Sequence, residues 1–409
     1  MRTRYGVPYW LDRYPKARQP SYPRHRGPLE VQVAILGGGL TGSSAAYVFA
    51  AAGVRVALVE GNRIGQGGSA ACPGLLRLEP VAPFDALKAQ HGLRVARHLW
   101  QSFRRAGLDM AATIRRLRIR CELVPDAALR VGLRGDDERR LRREMAAMRE
   151  AGVEGSWLTP ARLRQETGLT GIGAIRSAGD AFIDPYRATL GLAAEAVKRR
   201  AQVFERTPVT RVRAGRKGVE LVTEGGVIRA ETVVIASNHP MAAFKPLRRH
   251  FEPREAFCVL TPPVPSFVRR EFGRSRAIVI DQDDPPHVFR RTSDERVMFL
   301  GADQSPVPAR AREKVMVQRT GQLMYELSKL YPAIAGTRPE YGWIVPVSIA
   351  PDGMLCVGPH RNYPRHLFAF GSGHNGVASA FLAARLLLRQ YLGAPDKGDD
   401  LLGFARLLG

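Results

Sequence analysis

Three glycines and one acid, at fixed spacing, mark the first place where this chain of 409 residues can do chemistry. Gly37, Gly39 and Gly42 stand in the run Gly37-Gly38-Gly39-Leu40-Thr41-Gly42, and Glu60 follows 23 residues after Gly37. Gly37 permits a tight turn, Gly39 lets backbone approach a pyrophosphate, and Gly42 lets a helix pack close to a strand. A carboxylate at position 60 can accept hydrogen bonds from both ribose hydroxyls of an adenosine, and it would repel a 2′-phosphate. The residues together suit a dinucleotide, without separating NAD from FAD.

Such residues work only when regular elements hold them. Val31 to Leu36 is an apolar run of the kind found in a buried parallel strand, Ser43 to Ala52 is an Ala-rich helix, and Val54 to Val59 is a second strand that delivers Glu60. The helix would turn its unpaired N–H groups, beginning near Leu40 and Thr41, toward the phosphates. Glycine turns alone are common in structural loops, but strand, glycines, helix, strand and acid in this order favour the nucleotide reading.

Composition sets the frame. A chain of this length has room for two domains, and 45% hydrophobic with 24% charged residues is the balance of a soluble globular protein. The four cysteines, Cys72, Cys121, Cys258 and Cys356, are scattered without metal-ligand spacing, so no metal site and no disulfide framework is expected, and a reducing cytoplasm fits. Residues 1 to 30 contain no apolar run suited to a signal peptide or membrane span. The net charge of 62 − 38 = +24 rests mostly on arginines spread along the chain, with local groups at Arg115 to Arg120 and Arg139 to Arg143 on helix-like stretches. This pattern reads as a solvated basic surface rather than a nucleic-acid face.

After the acid, Arg63-Ile64-Gly65-Gln66-Gly67-Gly68-Ser69 resembles the small Gly/Ser loop of the D-amino-acid oxidase superfamily of FAD enzymes, within it the gamma-glutamylputrescine oxidase, glycine oxidase and sarcosine oxidase branch. The resemblance runs from about Tyr9 to about Leu392. Tyr9-Trp10 is similar to an aromatic pair ahead of the nucleotide fold, and Asp180 to Pro185 to the segment that returns to it. Glu231 to Asn238 resembles a strand ending on small residues at the second FAD contact, with Asn238 in place of the usual Gly. Ala70-Ala71-Cys72 replaces the relatives' Gly-Arg-Asn. Leu367 to Gly376, leading into a helix from Val377 to Leu388, resembles the C-terminal flavin clamp. The resemblance thus implies noncovalent FAD held by Gly37, Gly39, Leu40, Thr41, Gly42, Glu60, Gly61, Gly67, Ser69, Val209, Ala236, Gly371, Gly373, His374, Asn375, Gly376 and Val377. A helix starting near Gly376 would point its positive end at the flavin N1 and C2 carbonyl, where negative charge gathers on reduction.

The same resemblance implies hydride transfer from a carbon beside an amine nitrogen to flavin N5, giving an imine that water hydrolyses, with oxygen or a quinone taking the electrons. Glycine oxidase and D-amino-acid oxidases place an Arg four residues after a tryptophan to hold the substrate carboxylate; counted from Trp343, that position is Val347. Arg290 or Arg291, on a strand of the substrate sheet, can substitute, and alternation puts one of the two inward. His287 and His374 are the candidate proton acceptors. Cys356 lies outside the position of the flavin-linking cysteine of monomeric sarcosine oxidase.

The expected architecture is α/β (α+β overall), a Rossmann-like FAD domain of glutathione-reductase type with an inserted mixed-sheet substrate domain. The pieces are an arm at 1–28, FAD-domain parts at 29–105, 176–242 and 341–393, substrate-domain parts at 106–175 and 243–340, and a tail at 394–409. The partner is a small-molecule amine; no nucleic acid is expected, and peripheral contact with a membrane is compatible with the basic surface. Two rival readings of the charge are a tRNA-modifying flavoprotein and a quinone-linked dehydrogenase resting on anionic lipid.

Overall fold

A computed structural model describes residues 2–407. Two large sheets dominate it. The smaller has eight strands, and its centre is parallel: Gln202–Phe204, Val56–Val59, Leu29–Leu36, Gly226–Asn238 and Tyr363–Phe370 lie side by side. An antiparallel hairpin, Val209–Ala214 and Val219–Thr223, extends one edge. Helix Leu40–Ala51 packs against both Pro185–Lys198 and Gly376–Tyr391 over one face. Val33, Ile35, Val56 and Leu58 point to that helical side, and Ala34, Leu36, Ala57 and Val59 to a second core with Phe244, Phe251 and Phe368. Burial on both faces is why these strands read as unbroken apolar runs.

The larger sheet has nine strands, ordered Arg4–Tyr5, Tyr341–Ile349, Glu252–Leu260, Val297–Gln304, Val288–Arg291, Ile278–Ile280, Ala128–Gly132, Gly173–Ser177, Gly155–Leu158. Period-two alternation sorts its side chains. Cys258, Met298, Leu300, Trp343, Val345 and Val347 join the core shared with the nucleotide-binding half, whereas Phe257, Val259, Phe289 and Phe299 face the helix Arg312–Leu330. Segment 341–393, expected as one piece of the FAD domain, is divided. Its first strand, Tyr341–Ile349, pairs along its whole length with Glu252–Leu260 of the larger sheet, and only the strands and helix after it belong to the nucleotide half. Alternation fits this pairing, since Trp343, Val345 and Val347 all fall on the face that joins the shared core.

The N-terminal arm is also part of the structure. Arg4–Tyr5 adds a parallel edge strand to Tyr341–Gly342, and Tyr9 and Trp10 are buried. The Trp10 indole donates to the Cys72 carbonyl at 3.0 Å and the Trp343 indole to the Ala71 carbonyl at 2.8 Å, so two tryptophans clamp the loop after Ser69. Among the described residues no helix is long and apolar enough to cross a membrane.

Candidate functional site

The turn from Leu36 into the helix Leu40–Ala51 is built as its glycines require. Gly37 has φ +111°, and a β-carbon there would meet the Ala236 carbonyl oxygen at 2.6 Å. At Gly42 a β-carbon would sit 1.8 Å from the Gly37 carbonyl oxygen, so only glycine lets the helix approach the turn this closely. Glu60 ties the turn from the neighbouring strand: one carboxylate oxygen accepts from the Gly38 N–H at 2.7 Å and the other from the Asn62 N–H at 2.7 Å. Ser69 Oγ accepts from the Leu40 N–H at 2.7 Å, which brings the Gly/Ser loop to the helix N-terminus.

The second glycine turn approaches from the far end of the chain. Gly371 and Gly373 have φ of +73° and +55°, and Gly376 begins a 16-residue helix. The Gly373 N–H donates to the Ser348 carbonyl at 3.1 Å, which anchors the turn to the larger sheet. Asn238, at the end of its strand, has φ +67°, the left-handed conformation that Asn accepts more readily than other side chains.

Both turns line one cavity of about 460 Å³. Gly37, Gly39, Leu40, Thr41, Glu60, Gly61 and Val209 contribute to its wall from the first half; Gly67, Ser69, Ala236, Gly373, His374 and Gly376 contribute from the loop and the second turn. Gly42, Gly371, Asn375 and Val377 do not reach the wall. Gly42 packs the helix, Val377 is buried, and Asn375 Nδ2 donates to the carbonyls of Glu79 at 2.7 Å and Arg77 at 3.3 Å, bracing the turn from behind. Cys72, Pro73, Asn238, Val345 and Pro346 also line the cavity, as does Val347. Asn238 and Cys72 fall in segments that the sequence sets beside the cofactor; Pro73, Val345 and Pro346 carry no signal as ligands, because apolar side chains act there through shape alone. No Lys or Arg is among the lining residues, despite the basic charge of the whole.

The four candidate catalytic side chains are dispersed. His374 lines the cavity, and its Nε2 lies 2.7 Å from Asp303 Oδ2. Arg290 and Arg291 alternate as expected: Arg291 faces outward, over the Phe272 ring and donating to the Ser275 carbonyl at 2.6 Å, while Arg290 faces inward and lies flat on Phe182. Arg290 is 4% exposed and its Nη1 has no hydrogen-bond partner. Burial disfavours its charged form, with Asp126 the main opposing influence. Since a guanidinium keeps its proton at any working pH, the cost persists as an unmet demand for an anion. His287 sits on the outer face, stacked on Phe299, with Nδ1 2.7 Å from Asp281 and Nε2 3.1 Å from Glu326. Burial acts to lower its pKa, but the Asp281 hydrogen bond and the nearby carboxylates outweigh it and raise the value. It does not reach the cavity because its strand turns it toward the helix Arg312–Leu330. Cys356 is fully buried away from the cavity, and burial pushes its thiol up to about 12, which leaves no accessible thiolate for a covalent link.

A parallel-sheet half that presents a glycine turn and an acidic strand end, joined to a second sheet across a cavity, defines a dinucleotide-dependent oxidoreductase. The profile of the FAD dependent oxidoreductase (DAO) family matches residues 32–390, and the chain belongs to that family. It is 25% identical over 371 residues to the gamma-glutamylputrescine oxidoreductase of Escherichia coli strain K12, covering 90% of this chain and 85% of that protein. It is 24% identical over 385 residues to the glycine oxidase of Geobacillus kaustophilus, covering 91% of this chain and 96% of that protein. Among solved structures, the L-proline dehydrogenase of P. horikoshii superposes with a TM-score of 0.76 at 18% identity, covering 93% of this chain and 99% of that one, a likeness of fold.

The residues present fit FAD. The first turn has glycines where any β-carbon would strike backbone, an acid tied to that turn, and a helix N-terminus opening on the cavity. FAD is therefore the cofactor of this enzyme; Glu60 and Gly37 to Thr41 would hold its nucleotide part, and Ser69, Gly373, His374 and Gly376, which line the same cavity, would face the rest.

Proposed function

We propose that this enzyme oxidises a carbon–nitrogen bond of a small amine or amino acid. The observation that carries the reading is the convergence of two glycine turns, more than 300 residues apart in sequence, on one cavity, the second turn bringing an imidazole, His374, into its wall. The names of relatives point the same way: gamma-glutamylputrescine, glycine and L-proline each present a nitrogen beside an oxidisable carbon. Bound FAD would supply the acceptor for a hydride from that carbon.

The chain's own part is positioning and exclusion. Val345, Pro346 and Val347 present an apolar surface from the larger sheet, which keeps water from the reacting carbon and favours the neutral amine. The helix Gly376–Tyr391 directs its positive end into the cavity, where charge developing on the bound ring would be stabilised. His374, on the cavity wall, would take a proton from the substrate nitrogen. Arg290, buried against Phe182 outside the cavity wall and with its Nη1 unpartnered, is a candidate cation for an acidic group on a substrate that extends past that wall.

The test is spectroscopic. Purified protein reconstituted with FAD is mixed without air with gamma-glutamylputrescine, 4-methylaminobutanoate, glycine and L-proline, and the flavin absorption is followed. Bleaching by at least one nitrogen compound, and by no 2-hydroxy acid of like size, supports the reading. Bleaching by hydroxy acids alone overturns it. Readmitting air or a soluble quinone to the bleached sample then distinguishes the two electron acceptors.

A further inference from the structure

The pairing of Glu252–Leu260 with Val297–Gln304 is broken once. Glu255 faces Gln304 and Phe257 faces Gly301, so the single residue Ala256 stands opposite both Ala302 and Asp303. This is a β-bulge, and within it Ala302 has φ +56°. An alanine held in the left-handed region costs about 1 kcal/mol or more, and such strain persists where surrounding structure enforces it. The bulge turns Asp303 out of the strand's alternation. Its side chain is 3% exposed and meets His374 Nε2 at 2.7 Å across the gap between the larger sheet and the second glycine turn.

We infer that Asp303 is a positioning residue that fixes His374 as the acceptor of the substrate's ammonium proton. A carboxylate oxygen 2.7 Å from Nε2 repels a bare lone pair there, so the ring proton of neutral His374 stays on Nε2 and Nδ1 keeps its lone pair. The substrate nitrogen then passes one proton to Nδ1 and retains its bonding pair, which gives a neutral amine and an imidazolium whose charge Asp303 compensates. No other electrons move in this step. It rests on the amine reading above, and it adds the residue that sets the tautomer.

Asp303→Asn, Asp303→Glu and His374→Gln are made as FAD-loaded proteins labelled with 15N-histidine. The resonances missing in His374→Gln identify His374. The expected wild-type spectrum has Nε2 protonated and Nδ1 bare. Asp303→Asn should lose that preference, because an amide can also donate to Nε2, and Asp303→Glu should restore it. A proton on Nδ1 in the wild type, or an unchanged signal in Asp303→Asn, overturns the inference whatever the substrate is. With gamma-glutamylputrescine as the probe, Asp303→Asn should lower kcat about 10- to 100-fold with KM within about twofold. A loss wholly in KM also overturns it. If that amine fails to bleach the wild type while the tautomer shifts as expected, the amine reading fails for that substrate and the role of Asp303 in setting the tautomer stands.

Discussion

The contact between Gly42 and Gly37 makes Gly42→Ala a sharp test of the nucleotide cradle. The new methyl carbon would lie 1.8 Å from the Gly37 carbonyl oxygen, and β-carbons essentially never come within 3.0 Å of another heavy atom, so helix and turn must part by at least 3.0 − 1.8 = 1.2 Å. The obstructing atom is backbone, and no side chain can swing aside. Overpacking of this kind costs about 1–3 kcal/mol. Empty protein can relax by letting the helix slide, whereas bound FAD needs the turn and the helix N-terminus in register, so most of the cost should fall on binding. The dissociation constant for FAD is expected to rise about tenfold or more, each factor of ten being about 1.4 kcal/mol. Fluorescence titration of apoprotein with FAD measures it. Gly321→Ala serves as control, since a β-carbon there meets nothing within 4 Å on the helix Arg312–Leu330; it should raise stability by up to about 1 kcal/mol and leave FAD affinity alone. Wild-type affinity in Gly42→Ala, with unchanged stability, would refute the close packing on which the cradle depends.

Three further outcomes are expected. Glu60→Ala removes the acceptor of the Gly38 and Asn62 N–H groups and should weaken FAD binding by about 1–3 kcal/mol, read by titration calorimetry, with adenosine diphosphate losing affinity in parallel. Asp180 has its pKa raised to about 6 by burial first and the Glu79 charge second, above its unfolded value near 4; the folded state therefore binds the extra proton, and its stability contribution is full below about pH 4 and lost as pH rises through about 6. Urea unfolding from pH 4 to 7 should show that decline in the wild type and a flatter profile in Asp180→Asn. Arg290→Met removes a buried cation with an unpartnered Nη1 and should raise unfolding stability by about 1–3 kcal/mol, while weakening turnover of substrates that carry a carboxylate; a loss of stability would show that the charge is satisfied in the free protein.

The nucleotide half was legible in the sequence because its demands are local. Gly37, Gly42 and Glu60 lie within one strand–helix–strand unit, and each does what backbone geometry at that spacing requires. Asn238 was legible for the same reason, since a left-handed residue ending a strand restricts the choice of side chain. Other features depend on contacts distant in sequence. Whether Arg290 or Arg291 faces inward depends on the register with Val297–Gln304, which no local pattern fixes. His287 was placed by sequence near the flavin, yet Asp281 and Glu326 hold it on the opposite face of the sheet. Asp303 gave no signal at all, because its orientation comes from a bulge, and an added residue in a strand leaves the apolar pattern nearly intact. Segment 341–393 crosses from one sheet to the other with no break in composition to mark the crossing.

The cavity has a temporal consequence during synthesis. Its walls require Gly37 to Thr41 and, made more than 300 residues later, Ser372 to Gly376, and the parallel strand Tyr363–Phe370 that presents the latter must dock beside Gly226–Asn238. A nascent chain that has emerged only as far as the hairpin after Phe204 can shape the phosphate turn but has no lid for the ring. Capture of FAD is therefore expected to follow the docking of Tyr363–Phe370 beside Gly226–Asn238 rather than to precede it.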